Sequence, residues 1–337
     1  MNVTLGVDAL RPSLADASGR GPPAVTYGWR PRFGPRHTVA MSGLLLAASG
    51  SWPWFGSYAG SGLGASTLLV GGALIGIPHG ASDFLVAHRL FGRTLGRLWL
   101  VVFVPAYLAL VFGVLLAWRV APLATLLVFL AISSLHFAGE DLEACGGPPT
   151  LLRWLARIST PLVPIVMLHL SEVTPIFATM SGQDAGRFMA ALQPLGAPLL
   201  GGWLIVAGMA VLSGFAGSIW HPDRGVESCE LLALAIAIVV LPPLVTFAIY
   251  FCLIHAVRHV AGLTAGLHPT DGRRALRLSA IVVLPLAAVC VALLASCWST
   301  IAGVMTTDNL LCVALQLIAA LTVPHMLLDA LDRGSGR

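Results

Sequence analysis

Long apolar runs alternate with short segments rich in arginine, glycine and proline along most of this chain. A helix needs about 20 apolar residues to cross the hydrocarbon core of a bilayer, and most of the runs reach that length. The pattern predicts an all-α, polytopic integral membrane helix bundle of about ten transmembrane helices, with eight or nine as alternative counts. The predicted spans cover roughly residues 38–58, 63–88, 98–118, 122–139, 154–171, 195–217, two spans within 229–267, 279–300 and 308–330.

Two of these runs are interrupted. The first contains Pro53 after a Ser-Gly-Ser sequence, and it is a weak span. The run at 229–267 contains Pro242 and Pro243 and is slightly short for two full helices with a turn. We interpret it as two spans, one of them short or broken. The stretch 172–193 is predicted to be the most polar long connection between spans.

Composition supports the same class of protein. Hydrophobic residues make up 57% of the 337 residues and charged residues only 10%, whereas soluble domains carry about 25% charged residues. This argues against a water-soluble fold. Residues 1–36 are polar and lack the apolar segment of a secretory signal peptide, so we expect a disordered cytoplasmic tail there. The multi-pass membrane domain is expected over 37–331, with a short tail at 332–337.

The arginines indicate how the bundle is oriented. Cytoplasmic loops of membrane proteins carry an excess of basic residues. With the N-terminus inside, most arginines between spans fall on the cytoplasmic side, and only Arg119 and Arg187 fall outside. This bias predicts an even number of spans and two cytoplasmic termini in a cell membrane. Because the arginines lie at span ends rather than in one patch, no nucleic-acid partner is expected.

Five histidines share one depth in this arrangement. Each lies in the cytoplasmic half of its span, whereas a random placement would scatter them. An ionisable residue at membrane depth is costly and is by default a functional hypothesis. The five are His79, His136, His255, His259 and His325. The remaining histidines lie in tails, loops or near the outer surface and are set aside; they are His37, His88, His169, His221 and His268.

Helical spacing relates these histidines to one another and to carboxylates. His255 and His259 lie four residues apart on one helical face, where two rings can contact one ion. Three acids each follow a histidine by four residues, namely Asp83, Glu140 and Asp329. Asp83 and Glu140 are candidates for orienting imidazoles by hydrogen bonds. The alternative is a charge at a span end in the headgroup region, which suits Glu140 and its neighbour Asp141 best.

Residue types alone leave several kinds of site open. For each histidine, a hydrogen bond between helices is the structural alternative. As a set, four imidazoles without thiolates suit iron, copper or zinc, and a haem with two histidine ligands is also compatible. His255 and His259 have no acid between them, which argues against a zinc metalloprotease. A metal-ion or proton transporter is the alternative from another class, although a pathway would distribute its histidines across the bilayer.

The histidines lie in four short motifs. These are Pro78-His79-Gly80-Ala81-Ser82-Asp83, Leu135-His136-Phe137, Tyr250-Phe251 with His255-Ala256-Val257-Arg258-His259, and Val323-Pro324-His325-Met326. Together they resemble the Brp/Blh family of bacterial β-carotene 15,15′-dioxygenases, and the resemblance covers about residues 64–330 and keeps the motif order. Two departures stand out: Phe84 follows Asp83 where many members have a histidine, and Ala138 precedes Gly139 after the second motif.

The resemblance implies an integral membrane, non-haem iron enzyme. It would cleave β-carotene at its central double bond with O2 and give two molecules of all-trans-retinal, with a rhodopsin-type protein as an acceptor of the product. The iron ligands, for Fe(2+), would be His79, His136, His255 and His259. No catalytic residue beyond these ligands is implied. Beside the resemblance, the residues themselves make Asp83, Glu140 and His325 candidates for supporting these ligands through hydrogen bonds.

Overall fold

The computed structural model describes residues 34–59, 83–145, 150–265 and 307–334. Every regular element in these ranges is helical, so the predicted all-α helix bundle is confirmed. Six helical stretches are long and apolar enough to cross a membrane; they are Trp99–Val120, Pro122–Glu143, Leu151–Leu168, Asp184–Gly217, Pro243–Ala261 and Leu315–Gly334. The count of about ten spans stays a prediction, because most of the run at 63–88 and all of that at 279–300 lie outside the described residues.

Thirteen α-helices make up the described part of the chain. Short 3₁₀ turns at Gly96–Leu98 and Gln193–Leu195 and a π-helical segment at Ile249–His255 join some of them. The helices are α1 Gly34–Ala59, α2 Asp83–Leu95, α3 Trp99–Val120, α4 Pro122–Cys145, α5 Leu151–Ser159, α6 Val163–Leu168, α7 Leu170–Ser181, α8 Gln183–Leu192, α9 Gly196–Gly217, α10 Pro222–Val240, α11 Pro243–Ala248, α12 Ala256–Ala265 and α13 Thr307–Gly334.

The two prolines in the run at 229–267 separate two helical stretches, as predicted. Helix α10 ends at Val240, and α11 begins at Pro243. A proline suits the first turn of a helix, where its missing N–H would have no partner in any case. From Pro243 the chain stays helical through α11, the π-helical segment and α12. The break at the two prolines is therefore confirmed. Of the two stretches, Pro243–Ala261 is long and apolar enough to cross a membrane and Pro222–Val240 is not, so the interpretation as two spans stays a prediction.

Two expectations about connections are wrong. The stretch 172–193 is mostly helical, because it contains α7 and α8. Gly182 separates these helices with a φ of +76°, a left-handed conformation that glycine adopts at little cost. The arginine-containing segment between the predicted spans 63–88 and 98–118 is not an irregular loop either, since α2 continues to Leu95. Arg89 on this helix forms an ion pair with Asp332 of α13.

The bundle core forms where α1 and α10 pack together. Leu45 of α1 is buried in one cluster with Ala237 and Ile238 of α10. Phe137 of α4 and Ile254 of the π-helical segment join the same cluster. These contacts place α4 beside the π-helical segment, and both carry histidines predicted for the site.

Helix α3, in contrast to the helices of the core, exposes many of its large apolar side chains. Val101, Phe112 and Leu116 are largely exposed, and the only charged residue of the helix is Arg119 in its last turn. A helix that exposes large apolar residues to its surroundings suits lipid rather than water. On its inner side, Trp99 packs with Val86 of α2 and Leu328 of α13 in a second core cluster. The second cluster brings α2, α3 and α13 together.

Candidate metal centre

Three helical stretches bring four of the predicted histidines into one cluster. Helix α4 carries His136, and the stretch from the π-helical segment into α12 carries His255 and His259. Helix α13 carries His325. All four rings are buried, with at most 7% of any of these residues exposed. His79, the fifth predicted residue, lies outside the described part of the chain.

Glu140 lies at the centre of this cluster. Its Oε1 is 2.6 Å from Nδ1 of His259, a hydrogen-bonding distance. Its Oε2 is 3.4 Å from Nε2 of His255, and Oε1 is 3.8 Å from Nε2 of His136. The carboxylate therefore contacts the rings of three histidines from two helical stretches. A charge in the headgroup region would not be surrounded in this way, so that alternative is wrong for Glu140.

A second acid approaches the cluster from α13. Oδ2 of Asp329 is 3.4 Å from Nδ1 of His136. The sequence relates Asp329 to His325 by spacing, but the structure relates it to His136 on another helix. Arg333 forms an ion pair with the same carboxylate. Glu140 and Asp329 thus bring two carboxylates into the cluster.

Asp83, the third acid of the sequence pattern, lies against a different histidine. Asp83 does not contact His136 or His255; its Oδ1 is 2.5 Å from Nδ1 of His325. The hydroxyl of Tyr107 donates a hydrogen bond of 2.9 Å to Oδ2 of the same carboxylate. Tyr107 was missed by sequence reasoning, because nothing in an apolar run marks one tyrosine as close to an acid 24 positions away.

This cluster contains buried polar atoms that lack a hydrogen bond within the described residues and could bind a metal ion. Neither ring nitrogen of His136 makes a hydrogen bond within the described residues, and neither does Oε2 of Glu140. Buried polar atoms are almost always paired, because leaving one unpaired costs about 1–3 kcal/mol. Two overlapping sets of side chains lie close enough to hold an ion, namely His136 with Glu140 and His255, and Glu140 with His259 and Asp329. Imidazole and carboxylate donors without thiolate suit non-haem iron(II) or zinc.

Comparison with known proteins places the chain in a family. The family described as "Beta-carotene 15,15'-dioxygenase" matches residues 70–331. The chain belongs to this dioxygenase family. The resemblance to the Brp/Blh family seen in the sequence motifs is thereby confirmed, and all the cluster residues lie within the matched range.

Two relatives within the dioxygenase family are similar over most of their length. "Probable beta-carotene 15,15'-dioxygenase Blh" of Halobacterium salinarum is 30% identical over 80% of this chain and 84% of its own length. "Beta-carotene 15,15'-dioxygenase" of the uncultured marine bacterium 66A03 is 27% identical over 75% of this chain and 88% of its own length. No solved structure matches the chain significantly.

In this family member, a buried network of charges lies directly behind the histidines. Arg258, which precedes His259, forms ion pairs with Glu230 of α10 and, at 3.2 Å, with Asp141 of α4. Arg157 of α5 contacts Glu230 at 2.8 Å. Asp141 is only 2% exposed, so its interpretation as a span-end charge in the headgroup region is wrong. The network ties α4, α5, α10 and α12 together behind the centre.

Aromatic rings form the wall on the other side of His255. The ring of Phe137 lies 4.4 Å from that of His255, and the ring of Phe251 is stacked at 6.1 Å. Tyr250 donates a hydrogen bond of 2.8 Å to Asp141 and so belongs to the charge network. Phe84 instead packs on Trp99 at 4.8 Å between ring centres, as ordinary helix packing predicts. The ring of Tyr250 also lies 6.5 Å from that of His255, so three of these four aromatic residues have rings near a site histidine.

Proposed function

We propose that this chain is a membrane dioxygenase that cleaves β-carotene at its central 15,15′ double bond with O2 and yields two molecules of all-trans-retinal. The match to the dioxygenase family over residues 70–331 and the names of both relatives support this activity. The observation that carries the metal requirement is the buried His136, whose two ring nitrogens have no hydrogen-bond partner within the described residues.

The metal we propose is iron(II), held by the imidazoles of His136, His255 and His259, with His79 as a further ligand. Glu140 accepts the hydrogen bond of the His259 ring and so orients it. Bound iron(II) would supply the redox chemistry that lets O2 react with a closed-shell polyene. Side chains alone cannot supply that chemistry.

The overall reaction needs no external electron donor. One carbon–carbon double bond and the O–O bond are broken, and two carbonyl groups form, so every atom of both reactants appears in the two aldehydes. No protein group has to give up or gain a proton. The chain's own task is to position the polyene and exclude water, and the rings of Phe137 and Phe251 beside His255 suit that task.

A substrate of this kind would arrive through the bilayer. β-Carotene is a hydrocarbon and partitions into lipid, and α3 presents Phe112 and Leu116 to its surroundings. We propose a location in the cell membrane with both termini in the cytoplasm, and a rhodopsin-type protein as one acceptor of the retinal.

Expression in bacteria that make β-carotene tests this function. We expect retinal to appear and β-carotene to decline, as measured by chromatography of extracted pigments. The His255→Ala variant should abolish this change, whereas His221→Ala, an exposed histidine outside the cluster, should retain it. With ¹⁸O2, label should appear in the aldehydes before it exchanges with water.

Two results would favour other functions. If β-carotene is untouched although the protein is in the membrane and iron is supplied, the assignment of substrate and reaction fails. Uptake of metal ions or protons into vesicles that depends on His255 would then support the transporter, and a Soret absorption band would support a haem protein.

A further inference from the structure

His325 belongs to the buried histidine cluster, although the sequence suggests only a supporting role. Its ring centre is 4.7 Å from that of His259 and 5.3 Å from that of His136. The rings of His136 and His255 are also 5.3 Å apart. His325 therefore stands between His136 and His259, and it is only 2% exposed.

These separations are those of imidazoles that share one ion. A metal–nitrogen bond of about 2.0–2.1 Å places the ion about 3.2 Å from the centre of each ring. Two such rings are then about 4.5 Å apart at a ligand angle of 90° and about 5.2 Å apart at the tetrahedral angle. All three measured separations lie close to this interval. Rings that pack edge to face also lie about 4.5–7 Å apart, so the separations allow a shared ion and the groups that hold the ring of His325 carry the argument further.

Asp83 sets the ring of His325 in the matching tautomer. Its Oδ1 accepts a hydrogen bond from Nδ1 of His325 at 2.5 Å. When Nδ1 carries the proton of a neutral imidazole, the lone pair is on Nε2, which is the atom that can bind a metal. Carboxylates behind ligating histidines act in this way in many metalloproteins.

Tyr107 in turn holds the carboxylate. Its hydroxyl contacts Oδ2 of Asp83 at 2.9 Å and the carbonyl oxygen of Leu321, one turn before His325, at 3.2 Å. Both carboxylate oxygens are thus engaged, and Asp83 is only 3% exposed. The three side chains come from α3, α2 and α13, so the arrangement fixes the ring of His325 relative to three helices.

We propose that His325 is a further ligand of the metal centre, and that Asp83 and Tyr107 are positioning residues that hold its ring for ligation. This inference rests on the proposed metal-dependent function. The opposing interpretation is that Asp83 and His325 form a buried polar contact that only joins α2 to α13. The two interpretations differ in what happens to a bound metal when the contact is changed.

Metal binding to the purified full chain separates them. The protein is loaded anaerobically with iron(II), desalted and analysed for iron per chain, and a second sample is loaded with cobalt(II), whose visible spectrum reports the number and geometry of its ligands. We expect His325→Gln to alter the cobalt spectrum and to lower metal affinity. Asp83→Asn should weaken binding by about 10–100-fold, the usual effect of losing such a carboxylate. Tyr107→Phe should weaken it less.

The matched control is His169→Gln. That ring also makes a partly buried polar contact between helices, because its Nε2 lies 2.6 Å from the carbonyl oxygen of Ile238, but it is not part of the cluster. This variant should keep the iron content and the cobalt spectrum of the unmodified chain. If His325→Gln and His325→Ala also keep both, and only lower the melting temperature, His325 is not a ligand. If the unmodified chain itself binds no metal, the proposed function fails instead.

Discussion

Replacing Arg258 by methionine should destabilise the protein strongly, because its charge is buried among acids. Three arginines (Arg153, Arg157 and Arg258) face three carboxylates (Asp141, Glu227 and Glu230) in this part of the bundle, so their formal charges cancel. Removing one cation leaves a buried net negative charge. It also leaves the hydroxyl of Thr38 without the 2.8 Å hydrogen bond from the guanidinium.

The expected size follows from comparable buried pairs. Removing one partner of a buried salt bridge costs about 3–5 kcal/mol, mostly because the remaining charge is uncompensated. The stability of Arg258→Lys should lie between that of the unmodified chain and that of Arg258→Met. One ammonium group cannot replace the guanidinium, which reaches Asp141, Glu230 and Thr38 together. Combining Arg258→Met with Glu230→Gln removes one charge of each sign. The double variant should therefore be more stable than the sum of the single losses predicts.

The assay is reversible unfolding by sodium dodecyl sulfate in mixed micelles. Arg119→Met is the control, because Arg119 is exposed at the end of α3 and a surface change of this kind costs at most about 0.5 kcal/mol. The reasoning would be refuted by an Arg258→Met variant that unfolds at the same detergent fraction as Arg119→Met, or by single losses that add without coupling.

Three further predictions concern the metal and the helix packing. His136→Ala should remove most bound iron and lower retinal formation at least about 100-fold, measured by elemental analysis and chromatography; normal iron content would contradict the proposed ligand set. Treatment with a chelator should abolish cleavage, and iron(II) should restore it more fully than zinc, with retained activity in the stripped protein as the contrary result. Gly214→Ala should lower the free energy of unfolding by about 1–3 kcal/mol, since an added Cβ would lie 2.0 Å from Oγ of Ser228. Its control is Gly208→Ala, which should be neutral or stabilising because nothing lies within 4 Å of the added Cβ.

The sequence predicts which histidines come together better than it predicts the acids that they contact. Apolar runs and four-residue spacing were enough to expect a helix bundle and to single out His136, His255, His259 and His325, which the structure brings together. Spacing along one helix could not show that Asp83 meets His325, because the two are 242 positions apart. Which helices are neighbours depends on packing of the whole chain.

Connections were predicted less well, for a local reason. The run at 154–171 reads as one span, and Leu151–Leu168 is long and apolar enough to be one, but within it α5 ends at Ser159 and α6 begins at Val163. Pro161 lies between them and has no N–H to continue the hydrogen-bonding pattern. Hydropathy averages over such a break. The placement of His79 as a ligand stays a prediction, because it lies outside the described residues.

The π-helical segment before α12 affects where the chain can lose or gain a residue. Its wider turns accommodate a residue more than an α-helix would over the same length, and such segments are frequent at functional sites. Deleting one residue within it, for example Leu253, would let the segment relax to an α-helix of nearly the same length and rotation, so the residues after it would keep their orientation relative to α11. His255 and His259 would then stay close to Glu140, whereas a deletion between the two histidines would rotate one ring relative to the other by about 100°. Members of this family should therefore accept a one-residue deletion inside the segment more readily than one between His255 and His259.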